Sequence, residues 1–533
     1  MSQKQRGFVG GVAILGIMGI LSKVIGLVFR IPLTNSLGTE WLGLYMLVYP
    51  TYTMLLSIST AGIPVAISRL VSENVTLGNH RTAKKILRTA LPMLAVAGAI
   101  LMALMIAFSG SLARQRNTPE IYIGFIALAP SILIVSIMSA FRGYLQGHRN
   151  MTPTAISQII EQAGKLVVSL PLTYLGARRS LVHAAAGTLV GISISEFLAL
   201  CYVYVMYLRE QREERPLELA QTEPAPEWQA LAKKLIFVAI PITIGSMIMP
   251  IASYIDSAMI PRRLAAAGFA PQAATKLYGM LTGCAVTLIN VPTSMATAIC
   301  IGLVPAISAA HMRRQPELMN HTCMLGLRMG SLIGFPCAIG MSLLSTEIIN
   351  LLYTIPRDEI MTTGRILSLS ALTILPFTMV QATTGVLQGV GKQKIPMYSL
   401  VLGVACKVVL NYILVAIPHL NVFGAPVSSM VCYTVSTAIN LWYIAAKLHI
   451  RLDWGELLVR PGAATAGMAV VVFGVTKVLN MQRRANTIVA VLVGVAVYAV
   501  LALAVGAIRQ SDAAHIPGGR KIEKLMRKLR LWR

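Results

Sequence analysis

Apolar runs of about 20 residues, each long enough to cross a bilayer as a helix, follow one another from Phe8 almost to Ile508. Short polar or charged breaks separate them. They predict membrane helices near 8–33, 42–68, 89–111, 121–141, 153–176, 182–207, 232–260, 277–308, 322–345, 366–390, 395–417, 423–446, 461–479 and 485–508, about fourteen in all. In lipid a helix satisfies its own backbone groups, whereas an open sheet edge does not. The pattern therefore predicts an all-α polytopic membrane protein.

The runs are also duplicated. Gly62-Ile-Pro-Val-Ala-Ile-Ser68 returns 240 positions later as Gly302-Leu-Val-Pro-Ala-Ile-Ser308, and Gly143-Tyr-Leu-Gln-Gly147 returns after 242 positions as Gly385-Val-Leu-Gln-Gly389. Two unrelated motifs recurring in order at nearly one offset mark a repeat. In so apolar a chain, a repeat of this size points to a secondary transporter, with two bundles alternately exposing a central site. The charged, proline-bearing stretch 209–231 falls after six helices and is the expected cytoplasmic linker. It divides an N-terminal six-helix lobe (1–208) from a C-terminal one (232–450). An extra helix pair (451–508) and a basic tail (509–533) follow. Six helices per repeat is an even number, so both halves enter from the same side.

Composition narrows the class. Of 533 residues 56% are hydrophobic and only 12% charged, with mean hydropathy +0.69. The net charge of +26 is spread over loops rather than gathered on one face, which argues against nucleic-acid binding. With the N-terminus inside, 29 of the 46 Lys/Arg fall in inner segments and 12 in outer loops, with five inside apolar runs. That asymmetry predicts a multi-pass cell-membrane protein with both termini cytoplasmic. The first run lacks a cleavage site and reads as a retained helix. The seven cysteines all lie in apolar runs without a CxxC pair, so packing is expected rather than metal or redox chemistry. In the tail, Ile522, Leu525, Met526 and Leu529 alternate with basic residues at helical spacing. This segment suits an anionic leaflet or serves only as a topology determinant.

Several motifs resemble one family. Leu42-Gly-Leu-Tyr-Met46, Gly62–Ser68 followed by Arg69-Leu-Val-Ser-Glu73, Arg142–Gly147 with Asn150-Met-Thr-Pro153, Ser157-Gln-Ile-Ile-Glu-Gln162, Ala274–Gly279 and Val304–Ser308 are similar to the stage V sporulation protein B family. That family lies within the superfamily of multidrug, oligosaccharidyl-lipid and polysaccharide exporters and is related to the MurJ-type lipid II flippases. The resemblance implies fourteen helices, two six-helix lobes plus a pair, and no enzyme activity. The implied function is a flippase moving an undecaprenyl-diphosphate-linked cell-wall or spore-cortex precursor. The implied partners are that lipid-linked glycan and membrane lipids, for a monomer working beside wall-synthesis proteins.

An anionic headgroup calls for cations inside the membrane, where charge is costly and points to function. In the first run Gly19, Lys23, Gly26 and Arg30 form one helical stripe. Arg30 could grip a diphosphate bidentately with Lys23 as a point charge beside it. The stripe resembles the first-helix signature of MurJ-type flippases. With Lys23 aligned, however, the family's second arginine falls at Phe29, and Arg30 could instead snorkel to the interface. Lys165 recurs as Lys407 at the same repeat offset, which suggests cavity lining. Glu161, four residues before Lys165, reads as its structural partner. Glu196 and Arg328 read as near-interface charges.

Asp256 in the seventh run is the candidate ion-coupling residue. Its expected partner is Asn411, for Na+ or H+, with a pairing to Arg262 or Arg263 as the alternative. No resident cofactor or metal is expected. Gly62, Pro64, Gly302 and Pro305 are candidate hinges for alternating access, with tight packing the competing account. A multidrug or cation antiporter of the same fold would want an acidic cavity. A membrane assembly factor is the reading from another class. The near miss at Gly389-Val-Gly-Lys392 is not a phosphate-binding loop.

Overall fold

The structure, a computed structural model, describes residues 3–219, 226–313, 315–478 and 484–507. Every regular element among them is helical. Among the described residues twelve helices are long and apolar enough to cross a membrane, so the expected fourteen are not all recovered by that measure. The difference lies in two places. α1 (Gln3–Thr60) joins the first two expected helices across Gly38, whose φ of 80° favours glycine. The fifth expected helix is three short pieces: α6 (Thr152–Gly164), a π-helical turn (Lys165–Ser169) and α7 (Leu170–Ala177).

The contacts group the chain into two compact units. The first is Met1–Gly283 with Ala416–His419, and the second is Cys284–Val415 with Leu420–Arg533. The first contains α1, α2 (Ile63–Thr76), α3 (His80–Ala107), α4 (Ser109–Arg114), α5 (Tyr122–Gly147), α6 and α7. It also holds α8 (Leu181–Leu219), α9 (Trp228–Ala266) and α10 (Pro271–Tyr278). The contact boundary thus falls some fifty residues beyond the linker, because α9 and α10 pack on α1. Sequence repeats and physical contacts divide this chain at different points.

The linker itself differs from a plain connection. α8 continues through its charged first half to Leu219, since Arg and Glu are good helix formers. Residues 220–225 and the amphipathic stretch of the tail lie outside the described residues.

In the first unit α5 is the central strut, packed on α8, α3 and α2. Its Gly143 and Gly147 face α2, where Pro64, Ile67 and Val71 fill the space that side chains would take. The second unit comprises α11 (Val286–Met312), α12 (Pro316–Leu343), α13 (Ser345–Leu352), α14 (Arg357–Ala371) and α15 (Ile374–Gly389). α16 (Lys394–Leu414), α17 (Gly424–Leu448), α18 (Arg460–Val478) and α19 (Arg484–Ala504) complete it. It repeats the arrangement: Gly385 and Gly389 of α15 lie against Cys300, Val304 and Ile307 of α11. Small residues let helices approach closely where lipid gives no hydrophobic drive. The extra pair is anchored in this unit, with Ala464, Ala502 and Ala507 around Leu332, and Met468, Val472 and Ala490 around Leu344. The cysteines are all free thiols.

Candidate functional site

The interior of the first unit holds a polar, aromatic and charged assembly. The part of α1 after Gly38 carries Trp41, Tyr45, Tyr49 and Tyr52 at three- and four-residue spacing, hence on one face. Their rings form a ladder with centroid separations of 6.1, 5.5 and 5.7 Å. The part before Gly38 brings the Arg30 guanidinium over the Tyr45 ring, 5.5 Å from its centroid. This is cation–π geometry. Arg30 is half-buried, while Phe29, the position the family pattern would make cationic, is buried at 2% exposure.

Lys165 joins this group from the start of the π-helical turn. It is half-buried and lies in the electrostatic field of Tyr45, Tyr49, Glu161 and Glu196. Its expected partner is engaged elsewhere. The Arg142 guanidinium donates to Glu161 at 2.6 Å and also to the Ser157 hydroxyl. A guanidinium fork outcompetes an ammonium four residues away for a carboxylate. Glu196, expected near an interface, is buried at 5% exposure. Its Oε1 accepts a 2.8 Å bond from the Tyr52 hydroxyl, and its Oε2 is buried without a hydrogen-bond partner among the described residues. The tyrosine ladder thus runs from the Arg30 cation to the Glu196 carboxyl.

A second cluster in the same unit surrounds Arg116, which lies in the break between the apolar runs 89–111 and 121–141. It is fully buried and donates to the Leu112 carbonyl (2.8 Å), the Thr51 hydroxyl (2.7 Å) and the Ser257 hydroxyl (3.1 Å). Its guanidinium also lies over Phe125 and Tyr254. Burial draws its pKa down from the ordinary arginine value. Asp256 belongs to this neighbourhood, in the electrostatic field of Tyr278 together with Arg116. It falls in the first unit, whereas Asn411, fully buried on α16, falls in the second.

The remaining expected residues are placed as follows. Lys23 lies on α1, and its side chain is outside the described residues. Lys407 is half-buried on α16, an unbroken helix, unlike the π-turn that carries Lys165. The chain breaks between α1 and α2 at Gly62, with Pro64 in the first turn of α2. A side chain at Gly62 would overlap the Ala239 carbonyl and the Thr243 hydroxyl of α9. α11, by contrast, runs on through Gly302 and Pro305, both exposed, with open space beside Gly302. Arg328, also expected near an interface, is buried beside Glu456 at 3.2 Å, with Arg460 at 3.7 Å from the same carboxylate. No group of three or more His, Cys, Asp or Glu gathers as a metal site among the described residues.

Comparison with known proteins agrees with this architecture. Residues 241–413 match the MatE family model. The chain is 26% identical to stage V sporulation protein B of Bacillus subtilis (strain 168) over 96% of its length and 98% of that protein. It is 27% identical to the lipid II flippase MurJ of the same organism, over 95% and 97%. Among solved structures, an inward closed lipid II flippase MurJ superposes with TM-score 0.67 at 12% identity, covering 92% of this chain and 98% of that one. An inward-facing multidrug resistance MATE family transporter gives 0.66 at 15%, covering 82% and 98%. A model of the polysaccharide biosynthesis protein family matches residues 8–311, and the chain belongs to that family.

Proposed function

We propose that this chain is a flippase, not an enzyme, moving an undecaprenyl-diphosphate-linked wall or spore-cortex precursor across the cytoplasmic membrane by alternating access. The observation that carries the reading is the pairing of Arg30 and Lys165 with the Tyr45–Tyr49–Tyr52 ladder inside a membrane-spanning unit. Cations held at membrane depth suit an anionic diphosphate. End-to-end similarity to a lipid II flippase supports the same cargo class. Lys23 extends the cationic lining in this reading, and Lys407 is the substrate-binding cation of the second unit. Asp256 and Asn411 serve ion coupling, and Gly62, Pro64, Gly302 and Pro305 serve as hinges. Both termini are cytoplasmic, and the protein works as a monomer beside wall-synthesis proteins.

A multidrug antiporter is favoured by one observation, the buried carboxyl of Glu196 beside aromatic rings, which would also hold an organic cation. Translocation in proteoliposomes separates the two. Lipid II should become accessible across the bilayer with the wild type, and Arg30→Ala or Lys165→Ala should slow this by about tenfold or more, the worth of one charge-assisted contact. Ethidium efflux without lipid II movement would overturn the flippase reading.

A further inference from the structure

α3 begins with Arg81, Lys84, Lys85 and Arg88, whose spacing puts them on one helix face. The same face continues into the membrane segment as Pro92, Val96 and Ile100. Together they line a groove of about 1200 Å3 that Trp228, at the start of α9, also borders. The floor is surface rather than core, because Val96, Ile100 and Trp228 are 58%, 55% and 62% exposed. A second hollow, about 450 Å3, continues from Trp228 along Phe237 and Ile240 of α9.

The dimensions identify an occupant. From Arg88 to Ile100 the helix rises roughly 18 Å, close to one leaflet, roughly half of a 30 Å hydrocarbon core. Cations at one end, an apolar floor of leaflet depth, and a tryptophan at the boundary match a phosphate headgroup and its acyl chain. We infer that this groove binds an anionic phospholipid of the surrounding leaflet. Its phosphate sits among Arg81, Lys84, Lys85 and Arg88, one chain lies along Pro92–Ile100, and the α9 hollow takes a second chain. A long polyprenyl tail would overrun a floor of this length, which favours a bilayer lipid over the proposed cargo.

Native mass spectrometry of the full chain in detergent tests this, with phosphatidylglycerol and phosphatidylcholine of matched chains. Wild type should hold phosphatidylglycerol about tenfold more tightly, about 1.4 kcal/mol. Arg81→Gln/Lys84→Gln/Lys85→Gln/Arg88→Gln should abolish the preference, and Lys392→Gln/Lys394→Gln should keep it. Val96→Trp, which fills the floor and spares the charges, should weaken both lipids. Equal binding of the two lipids by wild type, or an undiminished preference in the charge variant, overturns the inference. Should that variant not fold, Arg88→Gln decides, and unchanged binding overturns it. One-for-one displacement of phosphatidylglycerol by a polyprenyl diphosphate lipid would give the groove to the cargo and likewise overturn the assignment.

Discussion

A methyl group on Gly143 would stand 2.7 Å from the carbonyl oxygen of Pro64. The two motifs that recur along this chain are therefore each other's packing partners. The same relationship joins Gly389 to Ile307, where a methyl would stand 2.8 Å from Cβ. Overpacking of this kind costs about 1–3 kcal/mol. Gly143→Ala and Gly389→Ala should each lower thermal stability in detergent by that order. Gly302→Ala, beside open space, should leave stability unchanged or raise it by roughly 0.5–1 kcal/mol. A fall in transport by Gly302→Ala without loss of stability would mark a hinge, and unchanged transport would argue against one.

The Tyr52–Glu196 bond invites a second comparison. Removing its donor takes from a buried carboxyl the hydrogen bond to its Oε1. Tyr52→Phe should therefore destabilise by about 1–3 kcal/mol. Glu196→Gln keeps an acceptor for the tyrosine and should cost less. Thermal unfolding of the two variants in detergent checks the order, and a Tyr52→Phe protein as stable as wild type would contradict it.

Arg328 and Glu456 lend themselves to a double-mutant cycle. Glu456→Leu takes this carboxylate from a buried guanidinium and should cost on the order of 3–5 kcal/mol. In an Arg328→Met/Glu456→Leu protein both charges are gone, and the loss should be much smaller than the sum of the single losses. Additive losses would show that the pair is not coupled.

A pH dependence should come from the end of the first unit where α5 meets α8. His148 donates from Nδ1 to the Tyr144 carbonyl at 2.9 Å, and its Nε2 lies 2.5 Å from Glu214 Oε1 as an ion pair. The same carboxylate takes contacts from His80 (3.1 Å) and the Tyr144 hydroxyl (2.6 Å), and Glu210 adds negative charge nearby. Burial pulls the His148 pKa down, but Glu214 and the Tyr144 carbonyl outweigh it and hold it above the usual imidazole value. A raised folded pKa means the contribution is complete below the unfolded value, about 6.5, and is lost as pH rises through the folded one. Thermal stability should fall as pH climbs above neutrality, and His148→Gln should flatten that slope. An unchanged slope would remove His148 as its source.

The fold was largely legible because hydropathy and the two repeated motifs are one-dimensional signals. The charges were harder. Apolar context suggested function for Arg30 and Lys165, but sequence spacing paired Lys165 with Glu161, while in space Arg142 from another helix takes that carboxylate. Glu196 and Arg328 looked peripheral because their partners, Tyr52 and Glu456, are 144 and 128 residues away. Arg116 gave no signal at all, since its ligands are hydroxyls and aromatic faces rather than acids. Only the tyrosine spacing from 45 to 52 was there to be read.

The π-helical turn at Lys165–Ser169 fixes a phase. One extra residue in a turn rotates everything beyond it by about 100° relative to a plain α-helix. The chain before the turn therefore presents Glu161 to α5 while the chain after it presents Thr173 to Thr188 of α8. Deleting one residue here would leave composition and hydropathy almost untouched. It would turn one half of that helix against the other like a mis-set gear, with Lys165 carried away from the tyrosines.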